Sequence, residues 1–199
     1  MTREEILGMF TSSGALLEGH FQLTSGLHSP NYFQCAKVLQ YPDFTERLCS
    51  LIVDRFRPGG VDAVIAPALG GIVVGQEVGR QLKVRTMFAE RKDHVLQLRR
   101  GFTVGRGERV LICEDVITTG GSVQEVIEII RRQGAVTAGI GAVVDRSGGR
   151  SGLPDLFAAF TVEAVTYPPA ECPLCRRGIS VEKPGSRPGA VQEPPHASG

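Results

Sequence analysis

The run Val110–Ser122, VLICEDVITTGGS, limits what this chain can fold into more than any other stretch. Val110, Leu111, Ile112 and Cys113 are uninterrupted apolar residues, which suits a strand buried on both faces of a parallel sheet. Two carboxylates follow, Glu114 and Asp115, and then Val116, Ile117, Thr118, Thr119, Gly120, Gly121 and Ser122. From Val123 to Arg132 the apolar residues Val123, Val126, Ile127 and Ile130 recur at spacings of three and four, the pattern of an amphipathic helix. The spacing predicts a strand, a polar loop over 116–121 and a helix, in an α/β fold.

In open α/β sheets ligands bind beyond the carboxyl ends of the strands, where this loop falls. Gly120 and Gly121 let backbone amides approach a ligand, Thr118, Thr119 and Ser122 add hydroxyls, and a helix N-terminus favours an anion. The loop is not a nucleoside-triphosphate loop, because GxxxxGK[ST] is missing. Glu114 and Asp115 would repel a bare phosphate but suit ribose hydroxyls or a cation. Phosphate at one end and hydroxyls at the other describe a ribose 5-phosphate.

Val110–Ser122 resembles the signature of type I phosphoribosyltransferases, whose common donor is phosphoribosyl pyrophosphate (PRPP). The resemblance implies a mostly parallel central sheet flanked by helices, with a small N-terminal hood. It also implies donor contacts at Glu114, Asp115, Val116, Ile117, Thr118, Thr119, Gly120, Gly121 and Ser122.

The chain has 199 residues, 42% hydrophobic, with a net charge of +1. That suits one domain with an adequate core, expected over 1–178 with a hood near 14–40, a core near 41–165 and a flexible tail over 179–199. The charge argues for neither nucleic-acid nor membrane binding, no apolar run reaches the ~18 residues of a membrane span, and the N-terminus is no signal peptide. Five cysteines, three in apolar or helical surroundings, suit a reduced cytoplasmic protein.

Thr2 and Glu5 form a capping box for a helix through Ser12. Around Phe21 and Leu23, alternation followed by a Ser-Gly turn predicts a hairpin or hood over Gly19–Cys35. This stretch resembles the N-terminal region of orotate phosphoribosyltransferases, where F-x-L-x-S-G-x-x-S-P lies over the base site. Phe21, Leu23, Ser25, Gly26, Ser29 and Pro30 match it, and Tyr32 and Phe33 become orotate contacts by that resemblance. A lysine common in the family is replaced by Thr24. Asp43–Phe56 predicts a helix, Val61–Ala66 a strand, and a turn at Pro67–Gly71 a second anion site with small residues. By resemblance its Ala68, Leu69, Gly70 and Gly71 form the pyrophosphate loop, with Gly70 where the family often has a lysine.

Val84–Ala89 predicts a strand, followed by a cationic connection over Glu90–Glu108. Arg91-Lys92-Asp93-His94 resembles the mobile loop that closes over PRPP, which makes Arg91, Lys92 and His94 donor-binding residues. Lys92 and Asp115 become the catalytic candidates, with Arg99 or Arg100 as alternative cations. Ala135–Val144 predicts a strand ending at Asp145 and Arg146. Arginine binds carboxylates by two parallel hydrogen bonds, and orotate carries a carboxylate. In the family an Asp-Arg pair here binds orotate through the arginine, with Thr118 beside it. A last strand is expected over Leu156–Val165.

The resemblance to orotate phosphoribosyltransferases implies transfer from PRPP to orotate, with Mg2+ held mainly by PRPP and without strong direct protein ligation. It also implies a homodimer that shares the mobile loop across its interface. A purine phosphoribosyltransferase and a non-catalytic PRPP-binding regulator are the alternatives. Cys172 and Cys175 form C-x-x-C, which supplies only two of the four ligands of a zinc site. Two free thiols, or a site shared between subunits, are the readings left open.

Overall fold

A computed structural model of the chain describes residues 1–23, 25–163 and 165–184. In chain order the elements are α1 (Arg3–Ser12), β1 (Leu16–Gln22), β2 (His28–Phe33), α2 (Cys35–Leu39), α3 (Pro42–Phe56), β3 (Ala63–Pro67), α4 (Gly70–Leu82), β4 (Arg85–Lys92), β5 (Val95–Leu98), β6 (Arg109–Ile117), α5 (Gly121–Arg132), β7 (Val136–Asp145), β8 (Leu156–Thr161) and α6 (Pro173–Arg176). They divide into two compact units. The first joins Met1–Ala15 to the chain from Cys35, and the second joins Leu16–Gln34 to the chain from Val165.

The first unit carries a six-stranded sheet in the order β5-β4-β3-β6-β7-β8. All neighbouring pairs are parallel except β4 with β5, which form a hairpin at one edge. Parallel neighbours need crossovers, supplied between β3 and β4 by α4 and between β6 and β7 by α5. From β3 the chain moves outward to β4 and then returns to place β6 on the other side of β3. The strand order therefore reverses between β3 and β6, and a crevice at such a reversal is where α/β sheets bind ligands.

The apolar run of β6 fills the middle of the sheet, and Val110, Leu111, Ile112 and Cys113 are fully buried. Alternation along the strands sends Ala63, Ile65, Val110, Ile112 and Ile140 to one face, where they meet Val123, Val126 and Ile130 of α5. On the other face α4 and α3 lie so close that Gly75 sits against Val64 and Ala66, and Gly141 against Ile52. Each fully buried Val, Leu or Ile contributes roughly 1.5–3 kcal/mol relative to exposure. α1 carries the expected box: Thr2 Oγ1 accepts from the Glu5 amide (3.2 Å), and Glu5 Oε2 accepts from the Thr2 amide (2.7 Å).

Several boundaries differ from the sequence expectation. β6 continues through Ile117, whose side chain is in the core, so the loop is Thr118–Gly120 rather than 116–121. Ladder bonding to β7 carries the strand past its two carboxylates. α5 begins at Gly121, earlier than Val123. β4 runs to Lys92, past the expected end at Ala89, because it pairs with β5 in a hairpin. β8 stops at Thr161, short of Val165.

In the second unit β1 and β2 pair antiparallel, Leu17 opposite Tyr32 and Gln22 opposite His28, with an irregularity between Glu18 and Phe21. Two stretches of the later chain add to this hairpin. Tyr167 exchanges backbone hydrogen bonds with His28, and Glu182 bonds through its backbone to His20 and Gln22. The tail expected from 179 is thus engaged at Ile179 and Glu182. Thr24 and residues 185–199 with His196 lie outside the described residues. No described helix is long and apolar enough to cross a membrane.

Candidate active site

Two loops of the first unit leave the sheet on either side of the strand reversal. The loop after β6 holds Thr118 and Thr119, both exposed, and Gly120, whose φ of 77° is in the left-handed region where glycine is at ease. Gly120 caps α5 with no side-chain hydrogen bond, so the amides of Gly121 and Ser122 open the helix without a competing side-chain acceptor. The loop after β3 is built alike: Leu69 caps α4 with no side-chain hydrogen bond, and Gly70 and Gly71 form the first turn. Its Ala68 amide donates to Ala89 O (2.8 Å), and the Ala68–Leu69 peptide is cis.

The carboxylate pair of β6 faces the second of these loops. A Cβ on Gly70 would collide with the Asp115 carboxylate, and one on Gly71 would lie 2.9 Å from Glu114 Oε1. Two uncapped helix starts and a carboxylate pair thus border one crevice.

The two acids are not equivalent. Glu114 is buried and its Oε1 accepts from the Asp115 amide (3.1 Å). Burial pushes its carboxyl well above the ordinary 4.5, and the charge of Asp115 and a hydrogen bond with that side chain push the same way. Glu114 is thus the harder of the two acids to ionise. Asp115, half-buried, is the carboxylate that can present charge to the crevice.

Beneath it lies Cys35, a residue the sequence did not single out. Its Sγ is 3.8 Å from Asp115 O, and its thiol is pushed up by burial first and by the charge of Asp115 second. This thiol is inert packing rather than a nucleophile. Only its burial marks it, and no local motif could have shown that.

β7 brings Asp145 level with Ile117, and the Arg146 amide donates to Ile117 O (2.8 Å), so Arg146 begins beside Thr118. Asp145 is buried and accepts from the amides of Ser147 (2.8 Å) and Gly149 (3.1 Å). It shapes the turn that follows the strand.

The β4–β5 hairpin holds the expected cations differently from one another. Arg91 pairs with Glu125 of α5 (2.7 Å) and donates to His94 O (2.6 Å), while Glu125 also accepts from the Leu96 amide (3.1 Å). Arg99 and Arg100 both pair with Glu90 (3.6 and 3.1 Å). Lys92 is exposed at the end of β4, and Asp93 and His94 form the turn with positive φ. Glu125, unnoticed in the sequence, ties this hairpin to the helix that starts at the cradle. Tyr32 and Phe33 lie in β2 of the second unit, where Tyr32 packs on Phe21 with ring centroids 5.8 Å apart.

A phosphoribosyl transferase domain model matches residues 37–162. The chain is 56% identical over 191 residues to the orotate phosphoribosyltransferase of Chlorobaculum parvum, covering 96% of this chain and 99% of that protein. With the enzyme of that name from Pelotomaculum thermopropionicum it shares 55% over 188 residues, 94% of this chain and 99% of the other. Among solved structures it resembles orotate phosphoribosyltransferase from Aeropyrum pernix, with a TM-score of 0.67 and 26% identity over 79% of this chain and 94% of that one.

Proposed function

The chain belongs to the orotate phosphoribosyltransferases of the phosphoribosyl transferase domain family, and from that premise we propose how its residues transfer ribose 5-phosphate from PRPP to orotate, giving orotidine 5′-monophosphate and pyrophosphate for pyrimidine synthesis. The observation that carries the reading is the crevice at the strand reversal, bordered by two uncapped helix starts with Asp115 against Gly70.

The 5′-phosphate sits on the amides and hydroxyls of Thr118–Ser122, and the pyrophosphate on the loop Ala68–Gly71. Asp115 accepts from ribose hydroxyls, and buried Glu114 lies beside it. The bond from C1 to pyrophosphate breaks as the bond to the orotate nitrogen forms, the proton of that nitrogen passing to solvent, and positive charge develops on the sugar on the way. Asp115 is the fixed negative charge beside it, and Lys92 faces the leaving pyrophosphate. Arg146 and Thr118 hold the orotate carboxylate and ring. For Tyr32 and Phe33, and for Arg91 and His94 as donor contacts, the proposal rests on the family resemblance alone. Arg91 would exchange Glu125 for the donor.

Magnesium is the ion the family implies. The residues fit a weakly held ion: Asp115 offers hard carboxylate oxygens, whereas Glu114 is buried, so the donor's own oxygens would carry the rest. When bound, the ion neutralises charge on the departing pyrophosphate. A homodimer in the cytoplasm, with the hairpin shared between subunits, completes the proposal.

Loss of orotate absorbance with PRPP and magnesium tests the activity, and Arg146→Ala tests the base site. Removing a charged hydrogen-bond partner should lower kcat/KM for orotate roughly 10- to 100-fold, with PRPP affinity nearly unchanged. Equal loss for both substrates would overturn the role of Arg146.

A further inference from the structure

We propose that His20, His28, Cys172 and Cys175 form a structural zinc site within the second unit. The four ligand atoms, two ring nitrogens and two sulfurs, all lie within 4.8 Å of one another. His20 Nε2 is 2.9 Å from His28 Nδ1, 3.5 Å from Cys172 Sγ and 3.7 Å from Cys175 Sγ, and Cys175 Sγ is 3.3 Å from His28 Nδ1. Zinc bond lengths in a regular tetrahedron place nitrogen and sulfur about 3.6 Å apart and two nitrogens about 3.4 Å apart. Those three nitrogen–sulfur distances already match, and the nitrogen pair needs only a small opening.

The backbone explains why the four meet. His20 and His28 stand on the paired strands β1 and β2. Tyr167 is bonded to His28, and Glu182 to His20 and Gln22, so the chain between them is anchored at both ends to the hairpin. That intervening chain carries Cys172-Pro-Leu-Cys175. The C-x-x-C pair thus finds in the hairpin the two ligands it lacks in its own sequence neighbourhood.

Outer-shell chemistry agrees. His20 Nδ1 lies 2.7 Å from Ile179 O, and a carbonyl oxygen only accepts, so Nδ1 holds the proton and Nε2 keeps its lone pair toward the cluster. Three of the four residues are buried, and both cysteines are free thiols. Two nitrogens and two sulfurs in a closed set select zinc in a structural role, with no open position for catalysis. Binding expels the two thiol protons to solvent and leaves a neutral centre. A two-stranded hairpin is marginal in water by itself, and the ion would fasten the later chain to it.

Untagged, full-length protein grown with zinc tests this by elemental analysis. One zinc per chain is expected, falling to background in Cys172→Ser/Cys175→Ser. Cobalt added to metal-stripped wild type should give thiolate charge-transfer and tetrahedral d–d bands. His28→Cys, which keeps a ligand, should retain the metal and guards against a double variant that fails to fold. Wild type with neither zinc nor cobalt bands would overturn the proposal. So would zinc retained in full by the folded double variant, or a native mass showing a Cys172–Cys175 disulfide.

Discussion

At the scale of single residues, Glu114 gives the sharpest test, because burial in the fold raises its carboxyl above the ordinary range. An acid whose pKa is raised on folding holds a proton that the unfolded chain releases. Its contribution to stability is therefore complete below about pH 4.5 and is lost as the pH rises toward the folded value. Glu114→Gln removes this loss. Measured by thermal melts upward from about pH 4.5, the variant should gain on wild type as the pH rises toward the folded value; parallel curves would show that folding does not raise this carboxyl. Gly70 is the second residue of this kind. In Gly70→Ala the new methyl displaces the Asp115 carboxylate, so KM for PRPP should rise roughly tenfold while the melting temperature barely moves. An unchanged KM would remove Asp115 from the donor site.

At the scale of elements, the β4–β5 hairpin is held to α5 by Arg91 and Glu125, a pair about a third exposed. Exposed pairs contribute only about 0.2–1 kcal/mol, so Glu125→Gln should leave global stability almost intact. Amide exchange over 92–98 should nevertheless quicken, because Glu125 also fixes the Leu96 amide. Unchanged exchange there would assign the tie to the ladder alone. This element also shows what the sequence could reveal. The strand Val110–Cys113, the carboxylates and the Thr-Gly-Ser cradle were legible because local pattern determines them. The capping box at Thr2 and Glu5 was legible for the same reason. The continuation of β6 through Ile117 was not, because polar and β-branched residues there stay in a strand only through pairing with β7. The ion pairing of Arg91 with Glu125 joins residues far apart in sequence. The raised carboxyl of Glu114 follows from burial, which neighbouring letters do not encode. His20 and His28 acquire a relation to Cys172 and Cys175 only when the later chain returns to the hairpin.

At the scale of the whole molecule, the proposed sugar-phosphate cradle, pyrophosphate loop and base-binding arginine follow strands on either side of one reversal of strand order. The proposed sharing of the hairpin between subunits predicts a dimer by gel filtration with light scattering, and a fully active monomer would contradict it. The central claim concerns where the nucleotide rests, and a crystal structure with orotidine 5′-monophosphate addresses it most directly. Phosphate is expected on the amides from Thr119 to Ser122, with ribose hydroxyls on Asp115 and the base carboxylate on Arg146. Phosphate bound elsewhere, with those amides facing solvent, would contradict it.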